Sequence, residues 1–218
     1  MVRARVPETD SGIQGQVVVA EYDRLQRRLR DRGWLETKSL LAHGIDRGHV
    51  LEIGPGPGYL GLEWLTSTEL TSLTGLDISP DMVALASRNS SEFGLADRAT
   101  YQLGTGQFLP FEDATFDAVF SAGSLHEWEE PAAVLAQISR VLRVGGIALV
   151  LDMRRDMPTL LQWFMSANAT SPVMRSGLKN SIAAAYTSEE LWKLVAGAAL
   201  DWSVESTLSG VALCAKKA

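Results

Sequence analysis

The chain has 218 residues, a length that suits one domain with small additions, and its 46% apolar and 21% charged content is that of an ordinary globular protein. A net charge of −6 argues against a nucleic-acid partner, because such an interface needs a clustered basic face. The single cysteine, Cys214, excludes an intrachain disulfide framework. There is no apolar signal segment and no apolar run of about 20 residues, so we expect a cytoplasmic protein with no membrane span.

The N-terminal part of the chain predicts helices beside a sheet. Residues 1–12 are polar and are expected to be loose. Over residues 13–41, apolar side chains recur on one helical stripe that includes Tyr22, and Gly33 is expected to break it. We therefore predict an N-terminal helical extension, residues 1–47.

The most informative stretch, residues 49–61, reads HVLEIGPGPGYLG. Val50, Leu51 and Ile53 are typical of a buried strand, and the glycines that follow are typical of a tight turn. After Tyr59 the apolar spacing becomes helical. The stretch predicts a strand, turn and helix that open a doubly wound α/β domain, where ligands bind outside the carboxyl end of the strand.

Two cofactor classes compete for this turn. A GxGxxG match beginning at Gly56 is typical of dinucleotide sites. However, Pro55 and Pro57 have no N–H group to donate to a pyrophosphate. The acidic Glu52 would repel phosphate and would suit a cationic ligand. These features disfavour a nicotinamide cofactor.

Residues 70–78 predict the second strand, with Asp77 near its tip. Ser79 and Pro80 are typical of a helix N-cap and first helical position. Doubly wound folds place a carboxylate at the position of Asp77 to bind ribose hydroxyls, about 20 residues after the glycines. A capping or turn aspartate is the alternative.

Further elements follow in order. We predict strands over residues 100–103, 118–122 and 147–151, and a helix from Pro131 to the Gly145-Gly146 pair. Thr187 and Glu190 form a capping-box pattern that opens another helix. Residues 200–207 and 211–215 predict two final strands, antiparallel because their connection is short.

Three segments, LEIGPGPG, GLDISPDMV and LPFEDATFD, together resemble the motifs of class I S-adenosylmethionine-dependent methyltransferases. The resemblance implies a Rossmann-like, doubly wound, seven-stranded sheet with order 3-2-1-4-5-7-6 and an antiparallel last strand. It implies one domain over residues 1–218, with a cofactor-binding core at 48–152, a cap insertion at 153–186, and a helix and β-hairpin at 187–218.

The resemblance also implies S-adenosylmethionine as the cofactor, whose positive charges suit Glu52. Thr105 stands where the family usually has an aspartate for the adenine amino group, so its hydroxyl would bind more weakly. Tyr22 is either a lid over the cofactor or a half-buried helix tyrosine. The expected cofactor-binding residues are Glu52, Gly54, Gly56, Gly58, Tyr59, Asp77, Ile78, Met82, Thr105, Gly106, Gln107, Ser121 and Tyr22.

The segment SAGSLHEW follows the strand at residues 118–122 and is where the family brings methyl group and acceptor together. His126 is the best-placed candidate base. A structural role is the alternative, since positioning alone drives many methyl transfers. The three histidines are scattered along the chain, so the sequence predicts no metal site.

The insertion at residues 153–186 is longer than the ~10–12 residues that a crossover needs. Its apolar side chains at helical spacing predict a short helix. We expect a cap over an apolar or aromatic small-molecule acceptor, with a core-packing or dimer role as the alternative. The expected substrate-binding residues are His126, Trp128, Met157, Trp163 and Phe164.

The sequence therefore predicts an enzyme, monomeric or homodimeric, that transfers a methyl group from S-adenosylmethionine to a small molecule. One alternative is a protein of the same fold that transfers no methyl group, as a binding subunit or another kind of enzyme. A nicotinamide oxidoreductase is the other.

Overall fold

The computed structural model describes residues 4–8 and 12–218. Within them, the strands form one seven-stranded sheet. The strands are β1 (Gly48–Ile53), β2 (Thr71–Asp77), β3 (Ala99–Leu103), β4 (Phe116–Ala122), β5 (Leu142–Met153), β6 (Ser203–Ser206) and β7 (Gly210–Lys216). Their order is β3-β2-β1-β4-β5-β7-β6, as predicted.

Strands β1 to β5 are parallel, and β7 is antiparallel to both β5 and β6. Val50 and Leu51 of β1 are fully buried, because they point to opposite faces and helices cover both. The carboxyl ends of the parallel strands therefore meet at one edge of a well-packed sheet, where a ligand site is expected.

Helices on both faces complete the fold. They are α1 (Gln16–Asp31), α2 (Thr37–Ala42), α3 (Tyr59–Thr66), α4 (Pro80–Glu92), α5 (Pro131–Val141), α6 (Thr159–Asn168), α7 (Pro172–Ala184) and α8 (Ser188–Val195). Ser79 caps α4, and Thr187 with Glu190 forms the predicted capping box of α8. None of the helices described has the length and apolarity needed to cross a membrane.

Two elements differ from the sequence prediction. Helix α5 ends at Val141 rather than at Gly145-Gly146, because Leu142 already pairs with Phe116 of β4 across a register shift. The insertion holds two helices instead of one. The second, α7, begins with Ser171 as N-cap and Pro172 at the first position, a signal present in the sequence.

Residues 4–8, here called the N-terminal strap, lie against α7 and the segment that follows it. The backbone N–H of Val6 donates to the carbonyl of Ala183 at 3.0 Å. Arg5 donates to the carbonyls of Ala184 at 2.6 Å and His126 at 3.0 Å. Residues 1–3 and 9–11 of the segment that we predicted to be loose lie outside the described residues.

Candidate cofactor and acceptor site

A pocket opens at the carboxyl ends of the central parallel strands, between the glycine turn, α1 and the segment after β4. It brings together ten of the predicted site residues: Tyr22, Gly54, Gly56, Asp77, Ile78, Met82, Thr105, Gly106, Gln107 and Trp128. Residues Gly12, Ile13, Gly104, Ser124 and Glu127 also line it.

The glycine turn has no free backbone donor between residues 54 and 58. The N–H of Gly54 donates to the carbonyl of Leu76, and the N–H of Gly58 donates to the carbonyl of Pro55, both at 2.9 Å. The N–H of Gly56 donates to Asp77 Oδ2, also at 2.9 Å. The two prolines have no N–H, so this turn cannot cradle a pyrophosphate through its own backbone.

Asp77 lies at the end of β2 and joins the turn to the start of α4. Its Oδ2 accepts from Gly56, and its Oδ1 accepts from the N–H of Ser79 at 2.9 Å. Burial raises the pKa of this carboxyl, while these backbone hydrogen bonds act against the rise. A carboxylate has about four acceptor positions, and the backbone N–H groups of Gly56, Ser79 and Ile78 act on three of them, so Asp77 keeps capacity for a ligand hydroxyl.

Helix α1 and the residues before it cover the glycine turn. The Tyr22 ring faces Gly56, where a Cβ would lie 3.3 Å from it. The carbonyl of Ile13 accepts a 2.6 Å hydrogen bond from Ser79 Oγ, and Gly15 donates to Asp81 Oδ2 at 2.9 Å. The position of Tyr22 suits the predicted lid.

The residues that follow β3 form one end of the pocket, and they include the amide side chain of Gln107. Thr105 Oγ1 accepts from the backbone N–H of Gln107 at 3.0 Å, so the threonine hydroxyl shapes this turn. Gln107 Nε2 is buried and has no hydrogen-bond partner among the residues described. A buried donor without a partner is costly, and a heterocyclic nitrogen acceptor would satisfy it.

Glu52 does not line the pocket. Its carboxyl is buried on the α3 side of β1, close to Gly61, and its Oε2 has no hydrogen-bond partner in the part of the chain described. Burial, and secondarily the charge of Asp77, raises the pKa of Glu52 to about 8. At neutral pH without ligand, the protonated form of this group is therefore favoured.

Three other predicted cofactor residues also lie outside the pocket lining. Ser121 is buried and donates to the carbonyl of Ile53 at 2.7 Å. The Tyr59 hydroxyl donates to Asp23 at 2.8 Å. Gly58 is the N-cap of α3. These residues hold the strand ends and the turn in place around the pocket.

Tyr101 of β3 packs against the glycine turn. Its ring fills the space that a side chain at Gly75 would occupy. A Cβ on Gly58 would lie 2.8 Å from the Tyr101 hydroxyl oxygen. The turn can therefore approach β3 closely only because both positions have no side chain.

His126 lies in the 3-10 turn Leu125–Glu127 and is 3% exposed. Its Nδ1 lies 2.9 Å from Asp152 Oδ2, and its backbone N–H donates to the same oxygen at 2.8 Å. Burial alone would lower the pKa of His126, but the Asp152, Glu127 and Glu8 carboxylates outweigh it and raise the pKa to about 9. His126 itself does not line the pocket.

Glu127, which the sequence analysis did not single out, stands between His126 and the pocket. Its Oε1 lies 3.8 Å from His126 Nε2, and its side chain lines the pocket wall next to Trp128. Burial raises the pKa of Glu127 to about 7, and the neighbouring imidazole acts against this rise. Its place between two predicted site residues was the signal that could have identified it.

The predicted substrate residues of the insertion lie apart from this pocket. Met157 is buried. Trp163 and Phe164 on α6 are 66% and 47% exposed. They border a separate apolar hollow with Pro158, Leu160, Leu161 and Leu208, which shares no lining residue with the first pocket.

Comparison with known proteins agrees with this geometry. A family model described as "Methyltransferase domain" matches residues 51–150. A curated relative named as a ubiquinone/menaquinone biosynthesis C-methyltransferase from Geobacter sulfurreducens is 30% identical over 139 residues, which are 62% of this chain and 54% of the relative. The chain thus spans just over half the length of that relative.

Solved structures share the fold. A methyltransferase from Aquifex aeolicus described as SAM-dependent superposes with a TM-score of 0.69 at 19% identity, covering 90% of this chain and 98% of its own. The [4+2]-cyclase SpnF gives a TM-score of 0.61 at 20% identity, covering 100% of this chain and 88% of its own. These likenesses concern the fold alone.

The sheet order and the ligand pocket define a class I methyltransferase fold. The family model and the curated relatives support a class I S-adenosylmethionine-dependent methyltransferase. The predictions of family and of fold are confirmed, and S-adenosylmethionine is the cofactor of this family, as predicted.

Proposed function

We propose that this chain binds S-adenosylmethionine in the pocket at the strand ends and transfers its methyl group to a small-molecule acceptor. The observation that carries the proposal is the arrangement of Asp77 and the glycine turn. Every backbone donor of the turn is used internally, while a carboxylate with a spare acceptor position faces the pocket. This arrangement suits a nucleoside that carries ribose hydroxyls and positive charge, and it disfavours a pyrophosphate.

The residues around the pocket fit the three parts of such a ligand. Asp77 is the proposed ribose partner. Gln107 Nε2, with Thr105 and Gly106 beside it, is the proposed partner of the adenine ring, because the ring nitrogens accept hydrogen bonds. Gly54 and Gly56 border the space left for the methionine part.

The charge of the pocket supports a cationic ligand. The carboxyl groups of Asp77 and Glu127 both belong to residues that line it. The bound cofactor would supply an electrophilic sulfonium methyl group, which an acceptor nucleophile takes in line while the sulfur keeps the bonding electron pair. The carboxylates favour the positive charge in the bound state, and the pocket walls fix the orientation of the reacting groups.

His126 is proposed to act on the acceptor side through Glu127. The imidazole is held by Asp152 and reaches the pocket only by way of the Glu127 carboxylate, 3.8 Å from its Nε2. The expectation of His126 as a direct base therefore becomes the proposal of His126 as a positioning residue. Glu127 is the group placed to receive an acceptor proton.

The proposed acceptor is a small molecule with an apolar or aromatic part. Trp128 lines the cofactor pocket, and α6 offers an apolar hollow bordered by Trp163 and Phe164. The curated relative above is named for quinone biosynthesis, which agrees with an aromatic acceptor. A fold relative named as a cyclase keeps open the second possibility, a cofactor-binding protein that transfers no methyl group.

Two measurements test the proposal. Calorimetry with S-adenosylmethionine, S-adenosylhomocysteine, NAD and NADP should give binding with the first two only. Incubation with methyl-labelled cofactor and a panel of phenols, quinols and small amines should give a labelled product and an equal amount of S-adenosylhomocysteine. Binding of NAD without S-adenosylmethionine would refute the cofactor, and binding without transfer to any acceptor would favour the non-methylating alternative.

A further inference from the structure

One cluster of metal-ligating side chains joins the N-terminal strap to the pocket wall. Glu8 of the strap, His126 and Glu127 each offer one ligand atom, and the three atoms lie within 4.8 Å of one another. His126 Nε2 lies 3.7 Å from Glu8 Oε2 and 3.8 Å from Glu127 Oε1. The proposed methyl transfer assigns no role to Glu8.

The facing atoms of His126 and Glu8 make no hydrogen bond to each other. His126 is 3% exposed, and its Nε2 makes no hydrogen bond within the described part of the chain, because both carboxylates stand beyond hydrogen-bond distance. Glu8 Oε2 is also buried and without a partner there. Buried polar atoms that face one another across such a gap are expected to share a bound ion or water.

The opposite edge of the imidazole has the support that metal-binding histidines have. Asp152 is buried and accepts from the Nδ1 side of the ring at 2.9 Å. A carboxylate on the far nitrogen fixes the tautomer and orientation of a ligating histidine and increases its basicity. Nε2 is thereby aimed at Glu8 and Glu127.

The charges and spacings favour a cation. Asp152, Glu8 and Glu127 surround one imidazole, and the Arg5 guanidinium donates to the backbone carbonyls of Ala184 and His126. For metal–ligand bonds of about 2.0–2.2 Å, tetrahedral coordination separates ligand atoms by about 3.3–3.6 Å. The observed 3.7 and 3.8 Å are a few tenths of an ångström wider.

We propose that Glu8, His126 and Glu127 form a binding site for a divalent first-row transition metal, with Zn²⁺ the best match to the donor set. A His and two carboxylates leave a coordination position open, as in catalytic zinc sites. Glu127 also lines the pocket, so the proposed metal site adjoins the pocket wall. An acceptor hydroxyl that has released its proton to solvent would occupy the open position as an oxygen anion, a role that rests on the proposed methyl transfer.

The test uses the untagged 218-residue chain, treated with a chelator and titrated with Zn²⁺ or Co²⁺ in the absence of cofactor and acceptor. We expect one equivalent of metal by calorimetry and visible absorption bands from bound Co²⁺. Glu8→Gln and Glu127→Gln should each weaken binding by at least ~10-fold, because each removes a ligand. Glu129→Gln, an exposed neighbour of the same residue type, should change it by less than about twofold.

A thermal measurement guards against variants that fold poorly. Zn²⁺ should raise the melting temperature of the unmodified protein and of Glu129→Gln, and not that of Glu8→Gln or Glu127→Gln. The proposal fails if the unmodified protein binds no metal, or if both ligand variants bind it as tightly as the unmodified protein. Because no cofactor is present, either failure leaves the proposed methyl transfer untouched, and a failure of cofactor binding leaves the metal site untouched.

Discussion

The Asp77 carboxylate and the backbone N–H of Gly56 are joined by a 2.9 Å hydrogen bond that links the end of β2 to the glycine turn after β1. This bond removes the donor at the centre of the turn and leaves a carboxylate at the pocket wall. The same side chain therefore shapes the turn and offers the proposed ribose contact.

The first prediction concerns this carboxylate. Asp77→Ala should weaken binding of S-adenosylhomocysteine by about 1–3 kcal/mol, because the ribose hydroxyls lose a charged acceptor. Isothermal calorimetry measures the effect. Asp97→Ala removes an exposed aspartate elsewhere and should leave the affinity unchanged. Equal affinity for S-adenosylhomocysteine in all three proteins would show that Asp77 does not contribute to cofactor binding.

The second prediction concerns Gly54. Its φ of +70° lies in the left-handed region, and a Cβ there would overlap Ser124 Oγ. Gly54→Ala should lower the free energy of unfolding by roughly 2–4 kcal/mol through strain and overlap. Gly94 has a φ of +68° and nothing within 4 Å, so Gly94→Ala should cost only about 1–2 kcal/mol. Urea unfolding compares them, and an equal cost would mean that Ser124 moves aside freely.

The third prediction concerns pH. The folded-state pKa of Glu52 is raised to about 8 from 4.5, so the native state keeps a proton that the unfolded state releases between these values. Stability should therefore fall as pH rises from about 5 to 8 and level off above 8, with Glu52 contributing roughly 1–4 kcal/mol to the fall. Glu52→Gln cannot ionise and should lack this part of the slope.

The measurement for Glu52 is urea unfolding without cofactor at several pH values, comparing the unmodified protein with Glu52→Gln. Glu63→Gln on α3 is not a suitable control, because Glu63 accepts a hydrogen bond from Thr37. Glu69→Gln replaces an exposed glutamate and should reproduce the slope of the unmodified protein. Identical slopes in all three proteins would mean that Glu52 ionises normally.

The fourth prediction concerns α6. Trp163→Ser and Phe164→Ser should raise the acceptor KM by about tenfold or more through lost apolar burial, with the affinity for cofactor unchanged. Both side chains are largely exposed, so stability should change by about 0.5 kcal/mol or less. Val144→Ser, 77% exposed at the other end of β5, is the control. A changed oligomeric state with an unaltered KM would favour the dimer-contact alternative.

The local signals of the sequence predicted the individual strands and helices, while the order of the seven strands came from the resemblance to the methyltransferase family. The glycine turn, Asp77 and the Ser79-Pro80 helix start act through neighbouring residues, so spacing predicts them well. The direction of a side chain at a strand end is different. Glu52 belongs to the correct segment but points to the α3 side, and the Ser121 hydroxyl is taken by a carbonyl of the next strand.

The contacts of the strap could not be predicted. Glu8 and His126 are far apart in the sequence, and each pattern alone is ordinary: a polar N-terminal segment and an isolated histidine. Only the path of residues 4–8 along α7 brings them together. The prediction of no metal site rested on the scattered positions of the histidines, and the proposed site also depends on carboxylates from distant segments.

The fit of Tyr101 between Gly58 and Gly75 has a consequence for how this sequence can vary. The three residues come from three different elements. The Tyr101 side chain occupies the space that a Cβ at Gly58 or Gly75 would need, so a larger residue at either glycine requires a smaller one at position 101. Gly75→Ala should be far less harmful when combined with Tyr101→Leu than in the original background, giving a coupling energy of about 0.5–3 kcal/mol. Natural homologues should therefore change positions 75 and 101 as a pair, and a single change at either should be rare.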